Sequence, residues 1–263
     1  MNNLTIIESL NLNIYDIAII IIGIIIAAAT IYAGIVSICL TIKYIKYNRK
    51  KNSTGLKGKE IARKILDEYG LGNKIKVKYS GSLIFGNSYS HYFKKVRLRR
   101  ISFNKKSVSA LAMASQKSTL AILDKENDPD MKKRIRLVPL ITFGPFLFIP
   151  LVLVGVVIDL FVFNQGIGIS SFIAVIVGFL FYFYSFVLSL KVLKTEKKAQ
   201  QRSLEIVKQM DLATNEEIED MKKLFELYNK EYVIDLILSF LEMLRYVLTL
   251  LSYRTNINTS NNK

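Results

Sequence analysis

Charged side chains avoid three long stretches of this chain. Residues 17–42, 137–158 and 160–190 hold no Asp, Glu, Lys or Arg, and a lone Asp159 separates the last two. A hydrocarbon core about 30 Å thick takes roughly 20 apolar helical residues to cross. Each run is long enough to do so, and the pattern predicts an integral membrane protein.

Between the first two runs the periodicity changes. Within residues 59–69, Ile61, Ala62, Ile65 and Leu66 recur at helical spacing, and Gly70 and Gly72 end the stretch. Ile75, Val77 and Tyr79 then alternate with Lys74, Lys76 and Lys78, the period-two pattern of a strand with one basic face. Val96 and Leu98 repeat it between Lys95, Arg97 and Arg99, and residues 107–123 read as an apolar helix. The predicted order is helix, strand, strand, helix. Beyond the third run, residues 191–231 read as two polar helices separated at 211–215, with Thr214 or Asn215 as N-cap ahead of Glu216 and Glu217.

The last segment is double-natured. Over residues 232–252, Asp235, Ser239, Glu242, Arg245 with Tyr246, and Thr249 form a polar stripe on an otherwise apolar helix. A charge at a span's centre costs about 2.5–3.5 kcal/mol, so the stripe is expected to face protein, with Glu242 and Arg245 pairing three residues apart. A fourth span is favoured over a helix lying at the interface. The second run holds Pro139, Pro145 and Pro150, which tend to kink a helix and suit a packed bundle.

The fold class expected is mainly α: a polytopic transmembrane bundle of three to four spans with a small cytoplasmic α+β insertion. The segments are 1–42 (N-terminal region and first span), 43–136 (basic cytoplasmic segment), 137–190 (transmembrane hairpin, turning near 164–171), 191–231 (cytoplasmic helices) and 232–263 (last helix and tail). Charge sets the orientation. Segment 43–136 carries 25 basic and 7 acidic residues, a net of +18 in a chain of +16, while 191–231 balances nine of each. Basic residues flanking spans mark the cytoplasmic side. The expected location is therefore a plasma membrane, with the N-terminus outside and the basic segments inside. The first run lacks a preceding basic residue and exceeds a signal peptide's h-region, which fits a retained anchor.

Two scarcities narrow the chemistry. Cys39 is the only cysteine, so no intrachain disulfide forms, and His91 is the only histidine, so no two-histidine metal site fits one chain.

Several segments together resemble a known family. They are Gly58-Lys59-Glu60-Ile61-Ala62-Arg63-Lys64-Ile65-Leu66; Val96-Arg97-Leu98; Leu137-Val138-Pro139 with Phe143-Gly144; and Asp211-Leu212-Ala213-Thr214-Asn215-Glu216-Glu217. Their order and spacing are similar to the YugP-type bacterial membrane zinc metallopeptidases over most of residues 54–250. The resemblance implies a His-Glu-x-x-His helix, in which two histidines one turn apart reach a zinc and the Glu acts as base. In this chain those five positions are Gln116-Lys117-Ser118-Thr119-Leu120. An amide and a leucine replace the ligands and a lysine replaces the base. The family's third ligand, a glutamate, falls on Glu196. The family cofactor would be zinc; none is expected here.

The resemblance thus implies the fold and denies the activity. Two environments for Glu196 follow: an ion pair with Lys117 in place of a metal bridge, or solvation at a helix start amid Lys194, Lys197 and Lys198. His91 is read as a surface-loop residue. Asp124, Glu126, Asp128 and Asp130 are read as a solvated acidic loop, because the glycine and terminal glutamate of a calcium loop are missing. Lys94, Lys95, Arg97, Arg99, Arg100, Lys105 and Lys106 form a candidate patch for anionic membrane lipids or an acidic protein, with nucleic acid not expected. The leading function is a binding or regulatory pseudo-peptidase that could hold a peptide or protein. A divergent active metallopeptidase and a structural basic anchor are the alternatives.

Overall fold

A computed structural model describes residues 13–81, 86–164 and 168–261. The chain's first twelve residues, the middle of the expected 164–171 turn and the last two residues lie outside the described residues. The elements run α1 (Ile14–Arg49), α2 (Gly58–Glu68), β1 (Lys76–Ser80), β2 (Ser88–Ser90), β3 (Lys95–Arg99), α3 (Arg100–Asn104), α4 (Val108–Lys125), α5 (Pro129–Phe161), α6 (Ile169–Gln209) and α7 (Asn215–Asn261). The described residues within 1–34, 139–189 and 233–263 make one compact unit, and those within 35–138 and 190–232 make the other.

Among the described residues, α1, α5 and α6 are long and apolar enough to cross a membrane. Their side chains are bare to match. Ile20, Ile21, Ile24, Ile31 and Ile35 on α1, and Phe146, Ile149 and Leu153 on α5, are all exposed, as a helix apolar all round must be when lipid surrounds it. α5 runs unbroken from residue 129 through Pro139 and Pro150.

In the first unit, α5 and α6 approach at Gly155, where a Cβ would fall 2.7 Å from the Ala174 Cβ. Small residues at such crossings let helices pack where lipid supplies no hydrophobic drive. Asp159, the one charge between the two apolar runs, is buried at the turn. It accepts hydrogen bonds from the Gly168, Ser170 and Ser171 amides at 2.8, 3.1 and 2.7 Å, and from the Ser171 hydroxyl. The carboxylate caps the amides that open α6, which have no intrahelical acceptor.

α7 corrects two expectations. Asp235, Ser239, Glu242, Tyr246 and Thr249 face outward, not toward protein, and Arg245 is half-buried. The opposite face is the one that packs: Met243 and Val247 bury with Val175, Phe148 and Phe179, and Phe240 stacks on Phe186 with ring centroids 4.9 Å apart. These apolar and aromatic contacts turn the stripe away from α5 and α6. Glu242 and Arg245 form no ion pair; the Arg245 guanidinium lies over the Tyr246 ring instead.

In the second unit α4 is the axis. Every residue from Val108 to Leu123 except Lys117 is buried, because α2, α3, β2 and β3 pack around it. Ile61, Ala62, Ile65 and Leu66 of α2 are wholly buried, as their spacing predicts. Gly58 opens α2 where a Cβ would stand 1.9 Å from the Ser102 carbonyl oxygen, a spacing no side chain permits. The expected pair of strands is a three-stranded sheet of order β1-β3-β2, β1 parallel and β2 antiparallel to β3. The additional elements are the three-residue β2 and the one-turn α3.

The two polar helices expected over residues 191–231 are not separate elements. One is the end of α6 and the other the start of α7. Asp211, at a left-handed φ of 51°, sits in the break, and Thr214 is the N-cap of α7. The Glu217 amide donates to the Thr214 hydroxyl and the Thr214 amide to the Glu217 carboxylate, a reciprocal capping box. Glu217 also accepts from the Ser53 amide and hydroxyl at 2.7 Å each, tying α7 to the segment before α2.

Replacing Asp159 by Ala strands three amides where water is scarce. The hairpin should lose about 1–3 kcal/mol, measured as a lower midpoint in detergent-denaturant unfolding, with Asp159→Asn falling between the two.

Candidate functional site: a buried carboxylate held by two cations

The degenerate motif lies on α4, where sequence register puts it. Gln116 and Lys117 occupy adjacent positions, and Leu120 is one turn on and wholly buried. Glu196 reaches them from α6, beyond the uncharged 160–190 run. Its Oε2 accepts from Gln116 Nε2 and from Lys117 Nζ, both at 2.9 Å. Its Oε1 accepts from the Arg134 guanidinium at 2.7 Å. Side-chain exposures of 12% for Lys117, 15% for Arg134 and 17% for Glu196 make this a largely desolvated cluster. Of the two environments read for Glu196, the structure has the ion pair, with Arg134 as a second cation.

The electrostatics follow from the geometry. Burial pushes the Glu196 carboxyl up, but Lys117 and then Arg134 outweigh it and bring its pKa down to about 2. Two cations face one anion, and the Arg134 Nε is buried with no hydrogen-bond partner among the described residues.

Zinc does not fit these side chains. Leu120 has no donor atom, and the Lys117 ammonium occupies the carboxylate that would ligate. Among the described residues no three His, Cys, Asp or Glu side chains come together to hold a metal ion.

A second polar cluster closes the end of α4. Asp124 accepts from the Tyr89 hydroxyl at 2.5 Å, lies 2.7 Å from His91 Nδ1 and takes the Lys94 ammonium at 3.2 Å. Burial raises the Asp124 pKa, but hydrogen bonds from Tyr89, His91 and Lys94 more than reverse it, leaving the carboxyl below its usual range. Burial, reinforced by Asp124, pushes the Tyr89 hydroxyl well up. His91 lies in the surface turn between β2 and β3, as expected, with its ring held by Asp124. The acidic run, by contrast, is not a solvated loop. Asp128 pairs with Lys198 and accepts from the Asp130 and Met131 amides at the start of α5, and Asp130 lies 3.2 Å from Lys194. Only Glu126 of the four is exposed.

Members of the seven-residue basic patch differ in their surroundings. Lys94 turns to Asp124, at a left-handed φ of 45°. Lys95 and Arg97 share the outward face of β3. The backbone carbonyls of Lys105 and Lys106 accept from the Gly58 and Asn52 amides.

The family model described as "Putative neutral zinc metallopeptidase" matches residues 19–251, most of the chain. The chain belongs to the neutral zinc metallopeptidase family. A curated relative, "Putative membrane protease YugP" of Bacillus subtilis (strain 168), is 27% identical over 213 residues, covering 80% of this chain and 87% of that protein. No solved structure matches. As a family member this chain is divergent: among the described residues it lacks the cluster of metal-binding side chains that the family name implies.

Arg134 was not singled out as a site residue from sequence, because it stands among Lys132, Lys133 and Arg136 just before an apolar run. The signal that could have found it is periodicity. Arg134 and Met131 lie three apart at the helix start, and Met131 is buried while Lys132 and Lys133 are exposed.

Removing Glu196 leaves Lys117 and Arg134 buried without a counter-charge. Glu196→Ala should cost about 3–5 kcal/mol, and Lys117→Met less, since Arg134 and Gln116 remain; thermal unfolding of the purified chain ranks them. The carboxyl's folded pKa is depressed, so its contribution is complete above the ordinary value of 4.5 and lost as pH falls toward about 2. Wild type should therefore lose stability across that window more steeply than Glu196→Ala does.

Proposed function

We propose that this membrane protein is a zinc-free pseudo-peptidase that holds a peptide or protein segment without cutting it. The observation that carries the reading is the Glu196 cluster, in which two cations and an amide occupy the carboxylate that zinc would share. Turnover of a peptide bond on this fold needs a polarising metal and a base, and a protonated lysine supplies neither. Binding is a separate matter. The cluster carries one excess positive charge, and its Arg134 Nε is a buried donor without a partner among the described residues. A chain-terminal carboxylate would offset the excess charge, so the site favours an anionic group over a cationic side chain.

The accompanying reading is a plasma-membrane location with the N-terminus outside and residues 43–136 and 191–231 inside, supported by the basic residues that flank the uncharged runs. The outward polar stripe of α7 weighs against lipid on that face, so residues 232–252 span only where another polar surface covers the stripe.

Elemental mass spectrometry on the detergent-purified full-length chain, beside Glu196→Ala, tests the central claim. Zinc far below one atom per chain is expected in both. Near-stoichiometric zinc that disappears in the variant would mean an active, divergent metallopeptidase. In parallel, incubation with an unfolded polypeptide should produce no new N-termini.

A further inference from the structure

The register of the sheet sets like charges opposite one another. Lys76 of β1 faces Lys95 of β3, and Lys78 faces Arg97. Neighbouring strands lie about 4.8 Å apart, and like charges directly opposite destabilise a sheet. The inward residues of the same strands explain why the register is kept. Val77 pairs with Val96 and the half-exposed Tyr79 with Leu98; Val96 and Leu98 are wholly buried, and slipping β3 by one residue would expel them. The four cations are therefore held on one outward face by the core behind them. Across β3, Ser88 and Ser90 of β2 oppose Arg97 and Lys95 and bring no negative charge. The ion pairs of this unit engage other cations: Lys50, Lys94, Lys117, Arg134, Lys194 and Lys198 between segments, and Arg202 and Lys222 within α6 and α7. None of the four has a carboxylate partner among the described residues.

Beside this face the turn between β2 and β3 exposes two aromatic rings, Tyr92 at 71% and Phe93 at 62%. Phe93 is not loose. The Lys95 ammonium lies 5.3 Å and the Arg97 guanidinium 5.7 Å from its ring centroid, contacts of the cation–π kind. An exposed ring held between two unpaired cations matches the border of a bilayer, where aromatic rings sit at headgroup level and cations meet lipid phosphates.

We infer that the outward face of the β1–β3–β2 sheet, with the Tyr92-Phe93 turn, is a docking site for an anionic bilayer surface: Lys76, Lys78, Lys95 and Arg97 meet headgroup phosphates while Phe93 enters the interface. An acidic protein would match the cations but would not by itself call for two adjacent exposed rings. This site is separate from the Glu196 cluster and does not depend on the pseudo-peptidase reading.

The chain contains no tryptophan, so Phe93→Trp supplies a single reporter in the full-length protein. Reconstituted into vesicles of zwitterionic brominated lipid, the indole should emit as a water-exposed ring. Adding anionic lipid should shift emission to the blue and bring quenching by the bromines, reversed by raised ionic strength. Each cation near an anionic surface contributes about a fivefold gain in partitioning. The fourfold Gln variant at Lys76, Lys78, Lys95 and Arg97 should therefore lose the response, by roughly several hundredfold, with its helical circular dichroism unchanged. Emission that stays water-like at every lipid composition overturns the proposal. A shift produced by soluble polyglutamate but not by anionic lipid also overturns it, in favour of an acidic protein partner. If the fourfold variant loses its fold, the ionic-strength dependence of the Phe93→Trp chain alone decides.

Discussion

A carboxylate inside a protein must have its charge compensated, and at Glu196 the compensation sets how three helices meet. Glu196 on α6 draws Gln116 and Lys117 from α4 and Arg134 from the start of α5. In a metal site one dication would serve the same geometric purpose, gathering donors from separate helices and fixing their register. Two monovalent cations do it with directional hydrogen bonds instead. A buried ion pair is a poor source of net stability, since its desolvation offsets most of the attraction. Its sharper effect is on alternatives, because any rotation of α4 that buries Lys117 elsewhere strands its charge and leaves Glu196 to Arg134 and Gln116 alone.

The sequence made some of this plain and hid the rest for identifiable reasons. The uncharged runs and the spacing of Ile61, Ala62, Ile65 and Leu66 are carried by side chains whose burial follows directly from period, and α1, α2, α5 and α6 contain them as expected. The substituted motif could be located because the family's register is continuous from Val96 to Pro139, and the structure adds the distances. Arg134 and Asp124 were harder. Each stands in a run of like charges, and the sequence alone does not say which member of such a run turns inward. The polar stripe of α7 misled for a related reason. A two-faced helix buries whichever face finds the better partner, and Phe240 with Met243 and Val247 found α5 and α6.

The excess of basic residues divides along the same line. Lys50, Lys94, Lys117, Arg134, Lys194 and Lys198 have carboxylate partners that fasten the ends of α1, α4, α5, α6 and α7. Lys76, Lys78, Lys95 and Arg97 on the sheet have none among the described residues. A count of charge along the chain treats both groups alike, whereas the structure separates those consumed in holding the fold from those left facing outward.

The Glu196 cluster also bears on reversibility. Changing Lys117 to a glutamate alone would set two carboxylates beside one guanidinium. Changing Leu120 to histidine alone would put an imidazole with no arranged partner into a wholly buried position. Each single step back toward a metal-binding set passes through a less stable protein, and the metal that would compensate cannot bind until several steps are complete. The substitutions therefore act as a ratchet. With Lys117 and Arg134 on the Glu196 carboxylate, a metal-binding set at these positions is separated from this chain by less stable intermediates.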